Sequence, residues 1–529
     1  MRGKKSKKIN FIEADLNFDI ILLFLTKILK NLSKKEDYRR IFKSTFLFGF
    51  VQVFNISVKI VLNKIIAIYL GTSGIGMIGL YQSAISILRT FSSLGIHQSA
   101  VKDVSEIYVK NGKGNNTSRI INIVKKVVIG TALIGALITI VMSPWLSRWS
   151  FKSNDFTIPY IWLSLVVVFN ILTEGYLSIL KGLRRLRSLA KASMMGAAGG
   201  VLAGIPLYIY FGEKGIVPAL IATSFFTFLF AFYYVSKIQI DKIKVSIREI
   251  LFEGSNMIRM GFALMITSFA ALLSGFIVRS YISGVSGLEQ VGLFQVGSTI
   301  LSAYFGIVIT ALVTDYYPRI AAVNWDNKLV AKELNRQIKV GFLIVGPLIV
   351  MFMVFLKPSL VLLYSNDFLA SSEYIVFAVF GTLIIIASNP MDLVLVAKAE
   401  AKLFLLISLF YRSIEIGLFI LGYELGGLSG LGIAVTVLAA FHFIIMFSVN
   451  RWKYKIYIER KTWQIIVFVF LLTFFSVLTN EFQIVHFRLV IEIILILTSF
   501  TYSFLIMKNN MKINLVGWCM EKIKLRFKK

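Results

Sequence analysis

The sequence predicts an all-α polytopic membrane protein, with two parallel six-helix lobes around a central cavity and two extra C-terminal transmembrane helices. Three observations predict it. Apolar runs recur from Thr45 to Met507 between short charged links, and about 20 apolar residues cross a hydrocarbon core as a helix. Lysine and arginine concentrate in alternate links, as the positive-inside rule requires. One motif occurs twice, in equivalent spans. Composition agrees: 57% of the 529 residues are hydrophobic and only 16% are charged, more apolar surface than a soluble core can hide.

The spans fall at 45–70, 75–97, 124–146, 158–180, 192–211, 216–236, 259–284, 290–314, 338–356, 372–396, 403–423, 428–449, 463–480 and 487–507. With the N-terminus cytoplasmic, the outer links and their immediate helix ends hold only Arg148, Lys152, Lys214, Lys357 and Arg488. Lys59, Lys64, Arg89, Arg279 and Arg412 lie deeper within spans, and the rest of the 57 Lys and Arg fall in cytoplasmic segments and their immediate helix ends. Both termini are therefore expected in the cytoplasm. The net charge of +30 is a topology signal, so the expected partner is the bilayer and not nucleic acid. Residues 1–44 form a basic cytoplasmic extension without a cleavable signal. Its segment 16–32 suits an amphipathic stretch lying on the interface, with a disordered extension as the alternative. Residues 508–529 form a basic cytoplasmic tail holding Cys519, the only cysteine, which excludes an internal disulfide or a Cys-rich metal site.

The repeat pairs Gly79-Leu80-Tyr81-Gln82, followed by Ser86-Ile87, with Gly292-Leu293-Phe294-Gln295, followed by Thr299-Ile300. A Tyr-containing, Gly/Ser-rich outer turn precedes each copy, at Tyr69–Gly74 and Tyr281–Gly284. An even number of spans separates the copies, so both insert with the same orientation and the repeats are parallel. The lobes are placed at 45–240 and 258–450, with 451–507 carrying the thirteenth and fourteenth spans. Between the lobes, the spacing of Ile243, Ile247, Ile250, Leu251 and Ile258 suits a cytoplasmic elbow helix over 241–257.

Polar groups inside spans mark the candidate site, because ionisable residues at membrane depth usually face a bundle interior or a water-filled cavity. Gln52, Asn55, Lys59 and Asn63 lie within about 80° of one another on the first span. Gln82, Ser86, Arg89 and Ser93 form a stripe on the second, extended by His97. Gln295, Ser298, Thr299 and Ser302 mark the eighth, and Ser408, Arg412 and Glu415 the eleventh. Lys59 and Arg89 are the leading cations of a wet cavity between the lobes, with Lys64, Arg279 and Arg412 as further candidates. Each has a structural alternative. Lys64 and Arg279 could snorkel to the outer interface, and Arg412 could pair with Glu415 at i,i+3. Glu174 (one turn from Asn170), Asp392 (beside Asn389) and Glu415 are candidates to bind H⁺ or Na⁺, or merely to neutralise a base. His442 reads better as a packing residue than as a proton carrier. No cofactor is expected.

The sequence has no H-E-x-x-H, no P-loop and no Cys/His cluster, and its outer links are too short for a catalytic domain, so a membrane enzyme of glycan assembly is disfavoured. At Asn63–Gly71, Gly79–Gln82, Thr314-Asp315-Tyr316-Tyr317-Pro318-Arg319 and Leu363-Tyr364-Ser365-Asn366-Asp367-Phe368, the chain resembles the Wzx-type O-antigen flippases. These belong to the multidrug/oligosaccharidyl-lipid/polysaccharide (MOP) exporter superfamily, and the likeness covers about residues 45–450. It implies two six-helix bundles opening alternately to either side, and an undecaprenyl-diphosphate-linked oligosaccharide as substrate. Lys59 and Arg89 would then meet the diphosphate, and the Gln, Asn and Ser stripes the sugars. A cation-coupled exporter of small molecules on the same fold is the alternative. That activity would favour carboxylates in the cavity, where this chain has a basic excess. The N-terminal extension and the last two spans depart from the resemblance, and either could serve a partner such as a polysaccharide polymerase or chain-length regulator.

Overall fold

The computed structural model describes residues 51–511 apart from 113, 242, 244–245 and 480–484. The N-terminal extension, its segment 16–32 and Cys519 lie outside the described residues. The first lobe comprises α1 (Val51–Ser93), α2 (Ile96–Asn111), α3 (Asn115–Phe151), α4 (Thr157–Gly182), α5 (Leu186–Phe211) and α6 (Ile216–Ser236). The second comprises α7 (Ile247–Thr299), a π-helical turn (Ile300–Phe305), α8 (Gly306–Ala321), α9 (Asn327–Val354), α10 (Leu356–Leu363), α11 (Ser371–Ala397) and α12 (Ala401–Tyr454). Helices α13 (Arg460–Leu478) and α14 (Val485–Met511) follow. No strand occurs among the described residues.

Ten helical segments among the described residues are long and apolar enough to cross a membrane. Four of them, Val51–Ser93, Leu186–Ser236, Met265–Thr310 and Lys402–Tyr454, run for 43 to 53 residues. At about 1.5 Å per residue, even the shortest would reach roughly 65 Å, twice a hydrocarbon core. Each is broken by a glycine. Gly71, Gly212, Gly287 and Gly427 have φ of +62°, +56°, +82° and +56°, a region that side chains with a Cβ rarely occupy. Within α7, Arg279 Nε lies 2.8 Å from Gln295 Oε1, whereas sixteen residues of straight helix would separate them by about 24 Å. The segment is a hairpin. Taking each of the four as two crossings recovers the fourteen spans expected from the sequence.

Several boundaries differ from expectation. Left-handed backbone at Leu94 (φ 49°) and Gly95 (φ 68°) ends the second crossing near Ser93, and α2 occupies the start of the following link. Helix α9 starts at Asn327, well before 338, because the Asp326 carboxylate accepts from the Lys328 N–H at 2.7 Å and caps it. The eighth crossing passes through the π turn and continues as α8 to Ala321. Helix α7 starts at Ile247 and runs without interruption into the seventh crossing. A capping box opens it: Glu249 N–H donates to Ser246 Oγ, and Ser246 N–H donates to Glu249 Oε2 at 2.9 Å. That hydrogen bond, with Arg119 beside it, holds the Glu249 carboxyl below its usual range.

Small residues let the helices close. A Cβ at Gly196 would lie 2.9 Å from Thr227 Cα, and one at Gly200 would lie 3.0 Å from Thr223 Cα. The α5–α6 hairpin therefore packs backbone to backbone, in the small-xxx-small manner of membrane helices. Gly200→Leu is expected to destabilise the protein by about 1–3 kcal/mol through overpacking, measured by thermal unfolding in detergent. Helix α13 docks on α9, where a Cβ at Gly346 would press on Val469. Asn335 pins the entry to α13, and its amide is fully used. It donates to the Tyr457 and Ala331 carbonyls at 2.9 and 2.8 Å, and accepts from Glu459 N–H and Thr462 Oγ1, both at 2.8 Å.

Candidate functional site: an inter-lobe cavity with charged walls

The glycine breaks Gly71, Gly212, Gly287 and Gly427 lie on one face of the bundle, here called the turn face. The Gly95 break and the linker before α7 lie on the opposite, linker face. Arg89 is eighteen residues beyond Gly71, about 27 Å down its helix, which places it toward the linker face. The Leu94–Gly95 break folds α2 back so that His97 reaches α4. Glu174 on α4 pairs with Arg89, whose Nη1 sits 2.8 Å from its Oε1, and His97 lies close by, its Nδ1 3.8 Å from Oε2 and beyond hydrogen-bond reach. These groups line a cavity of about 380 Å³ whose far wall is α7, at Met265, Ser268 and Leu272. First-lobe charges thus face a second-lobe helix across a partly open space.

The Arg89 and Glu174 side chains are 33% and 29% exposed. A pair this wet contributes little net stability. A guanidinium carries five N–H donors, and a single one contacts Glu174 among the described residues. Arg89 is therefore held in position with donors to spare. Glu174, read from the sequence beside Asn170, pairs with Arg89, the base-neutralising alternative named for it, and lies near His97.

The second-lobe candidates are committed elsewhere. Arg279 does not snorkel to the interface. Its Nε donates to Gln295 Oε1 and its Nη1 to the Gly275 carbonyl at 2.9 Å, and the guanidinium lies 5.4 Å from the Phe294 ring centre. Gln295 in turn donates to Thr299 Oγ1 at 3.2 Å and packs on Gly79 of the first lobe. Arg412 Nη1 pairs with Glu415 Oε2 at 2.8 Å, the structural alternative named for it, and Ser274 Oγ donates to the same oxygen. Asp392 has a partner that spacing along the chain did not suggest: His442 Nε2 lies 3.2 Å from its Oδ1, and Tyr411 stacks edge-on to the His442 ring.

On α1, Gln52 and Lys59 are exposed, while Asn55 and Asn63 are half-buried. Among the described residues Lys59 has no hydrogen bond or ion pair. An ammonium near mid-span is costly in hydrocarbon, and none of these four α1 residues lines the cavity at Arg89. Gln82 and Ser302 are exposed too, and Ser86 and Ser298 are half-buried. The serine hydroxyls of the eighth crossing bond back to their own helix, Ser298 to the Gln295 carbonyl and Ser302 to the Ser298 carbonyl.

Lys64 is not among the cavity cations. Its ammonium donates to the Val361 and Tyr364 carbonyls of the second lobe, and Asn63 donates to the Tyr364 hydroxyl at 3.4 Å. Nearby the lobes touch through the repeated turns. A Cβ at Gly76 would collide with the Leu288 carbonyl oxygen, and one at Gly292 with that of Thr72. The lobes are thus joined at the turn face, and toward the linker face they meet again around the cavity at Arg89, where Phe91 packs against Phe269 and Arg119 pairs with Glu249 at 2.9 Å. The sequence marked 363–368 only through the resemblance; no charge or periodicity pointed to those carbonyls.

Residues 41–324 match the family described as "Polysaccharide biosynthesis protein". The chain belongs to this family. A lipid III flippase of Escherichia coli (strain K12) is 20% identical over 359 residues, which cover 66% of this chain and 84% of that protein. Among solved structures, the fold is similar to that of a lipid II flippase, MurJ, in an inward closed conformation. That likeness has a TM-score of 0.69 at 14% identity and covers 89% of this chain and 99% of the other. An inward-facing multidrug resistance MATE family transporter of the MOP superfamily gives 0.63 at 17% identity, over 76% of this chain and 94% of the other. The fold is the two-lobed helical fold of the MOP superfamily, and this family member is a multi-pass membrane protein.

Proposed function

We propose that this protein translocates an undecaprenyl-diphosphate-linked oligosaccharide, an O-antigen or related polysaccharide repeat unit, across the bacterial inner membrane by alternating access. The observation that carries the proposal is Arg89 in the inter-lobe cavity, positioned by Glu174 yet with donors free. Lys59 adds a cation with no partner among the described residues, on the polar stripe of α1. A diphosphate is the ligand such groups suit, since cations interact strongly with it where little water competes. Family membership and the flippases among the similar proteins support a lipid-linked substrate. The Lys and Arg distribution supports a cytoplasmic linker face and cytoplasmic termini. Substrate would then enter beside Arg89 and leave at the turn face in the periplasm, its polyprenyl tail remaining in the bilayer.

The protein acts in this reading as a carrier and not as an enzyme, without a cofactor. Movement of H⁺ or Na⁺ could drive it through Glu174, Asp392 or Glu415. Of the three, Glu174 alone shares a base with the proposed substrate site. Glu174→Gln, which releases Arg89 from its carboxylate, is expected to tighten binding of a short-chain prenyl diphosphate about tenfold while slowing turnover. Calorimetric titration of the purified variant checks the first effect. In this reading the extension or α13–α14 would serve an assembly partner such as a polymerase or chain-length regulator.

The decisive experiment is reconstitution in proteoliposomes with a labelled undecaprenyl-diphosphate-linked oligosaccharide. Time-dependent accessibility of the sugar to a lectin on the opposite side is expected. Export of cationic drugs with no sugar translocation would replace this reading with the small-molecule one.

A further inference from the structure

We propose that Lys64 is the latch that holds the two lobes together at the turn face, and that each opening of that face breaks its bonds to α10. The inference rests on the alternating-access reading above. Four observations carry it. Lys64 lies on the first crossing, only about 10 Å below the Gly71 turn. Its ammonium ends on the Val361 and Tyr364 carbonyls, some three hundred residues away in the other lobe. These oxygens sit at the C-terminal end of α10, where helix carbonyls lack intrahelical partners and the helix dipole is negative. Beside them, Asn63 donates to Tyr364, and backbone meets backbone at Gly76–Leu288 and Thr72–Gly292.

The division of labour is physical. The glycine seam brings the lobes close but makes no directional bond across the gap, so it can part with little resistance. The Lys64 contacts are charge-assisted, directional and confined to one state. When the lobes separate, both carbonyls and the ammonium lose each other together, and water entering the opened face takes their place. A contact made in one state only is what biases a two-state equilibrium. Carbonyl acceptors suit that role, because they carry no full charge to strand in the open state. A carboxylate partner would bind the ammonium more tightly and leave a second ion to hydrate at each opening.

The test is accessibility, not transport. In a Cys519→Ser background, Gln82→Cys places a thiol on the exposed position one turn below the seam. A membrane-impermeant maleimide is added to intact spheroplasts, which present the periplasmic face. Lys64→Met, which keeps the chain length and removes the ammonium, is expected to raise the labelling rate about tenfold, the change that loss of roughly one charge-assisted hydrogen bond brings. Lys64→Arg is expected to label like the parent protein. Lys64→Gln serves if Lys64→Met does not accumulate in the membrane. Unchanged or slower labelling in either neutral variant would overturn the latch. Faster labelling in a protein that moves no lipid-linked sugar would keep the latch and remove the substrate assignment instead.

Discussion

Arg89→Met is expected to lower transport of the lipid-linked sugar by about ten- to a hundredfold with normal membrane levels. The magnitude is that of one charge-assisted contact, about 1.5–3 kcal/mol. The variant also removes the partner of Glu174, but both side chains are about one-third exposed, so water hydrates the remaining carboxylate and the fold loses little. Function and stability should therefore separate. Lys59→Met should behave alike, while Lys59→Arg keeps the charge and part of the activity, allowing for the different shape of a guanidinium. Because Lys59 has no partner among the described residues, its apolar replacement should not lower the melting temperature. A well-folded Arg89→Met or Lys59→Met protein that still complements a flippase-deficient strain would rule out the diphosphate site.

What the sequence disclosed follows from which forces are local. Span positions and hairpin turns were legible because apolar runs and glycines act along the chain: Gly71 and Gly287 break helices close to where the repeats placed outer turns. The polar stripe of α1 was legible because a helix fixes the angle between Gln52 and Lys59. Pairings across the fold were not. Arg279 looked free to snorkel because Gln295, its partner, is brought near only by the hairpin at Gly287. Lys64 looked like a cavity cation because its acceptors are backbone carbonyls, which no residue type announces. The Arg412–Glu415 pair was at least nameable as one of two readings of Arg412, because three residues along a helix is a local relation. Glu174 with Arg89 joins α4 to α1 and depends on tertiary packing. The link containing α2 escaped notice because its break is a Leu94–Gly95 turn only a few residues inside the expected end of the second span.

Arg488→Met alone is expected to destabilise the protein by about 3–5 kcal/mol, and Arg488→Met with Glu492→Leu to regain most of that loss. These residues open α14, where sequence reading placed Arg488 in an outer link and took no account of Glu492. The Glu492 side chain is only 6% exposed, and Arg488 Nε lies 2.7 Å from its Oε1 one turn away. Glu492 shares a face of α14 with Leu495 and Ser499, both buried, and Leu495 packs with Val350 of α9 and Leu472 of α13. Without the guanidinium, an uncompensated carboxylate must stay buried against those helices or take up a proton. Replacing both residues removes that cost, since a buried pair exchanged for apolar groups is often neutral or stabilising. Thermal unfolding in detergent, followed by tryptophan fluorescence, measures all three proteins. Equal melting of the single and double variants would show that the pair does not hold α14. The same variants then separate two roles for the appended helices. If Arg488→Met loosens α14 while lipid-linked sugar still crosses reconstituted membranes at the parental rate, α13 and α14 contribute nothing to translocation itself. Their attachment to α9 through Gly346 and Asn335 would then serve a contact outside the transport cycle.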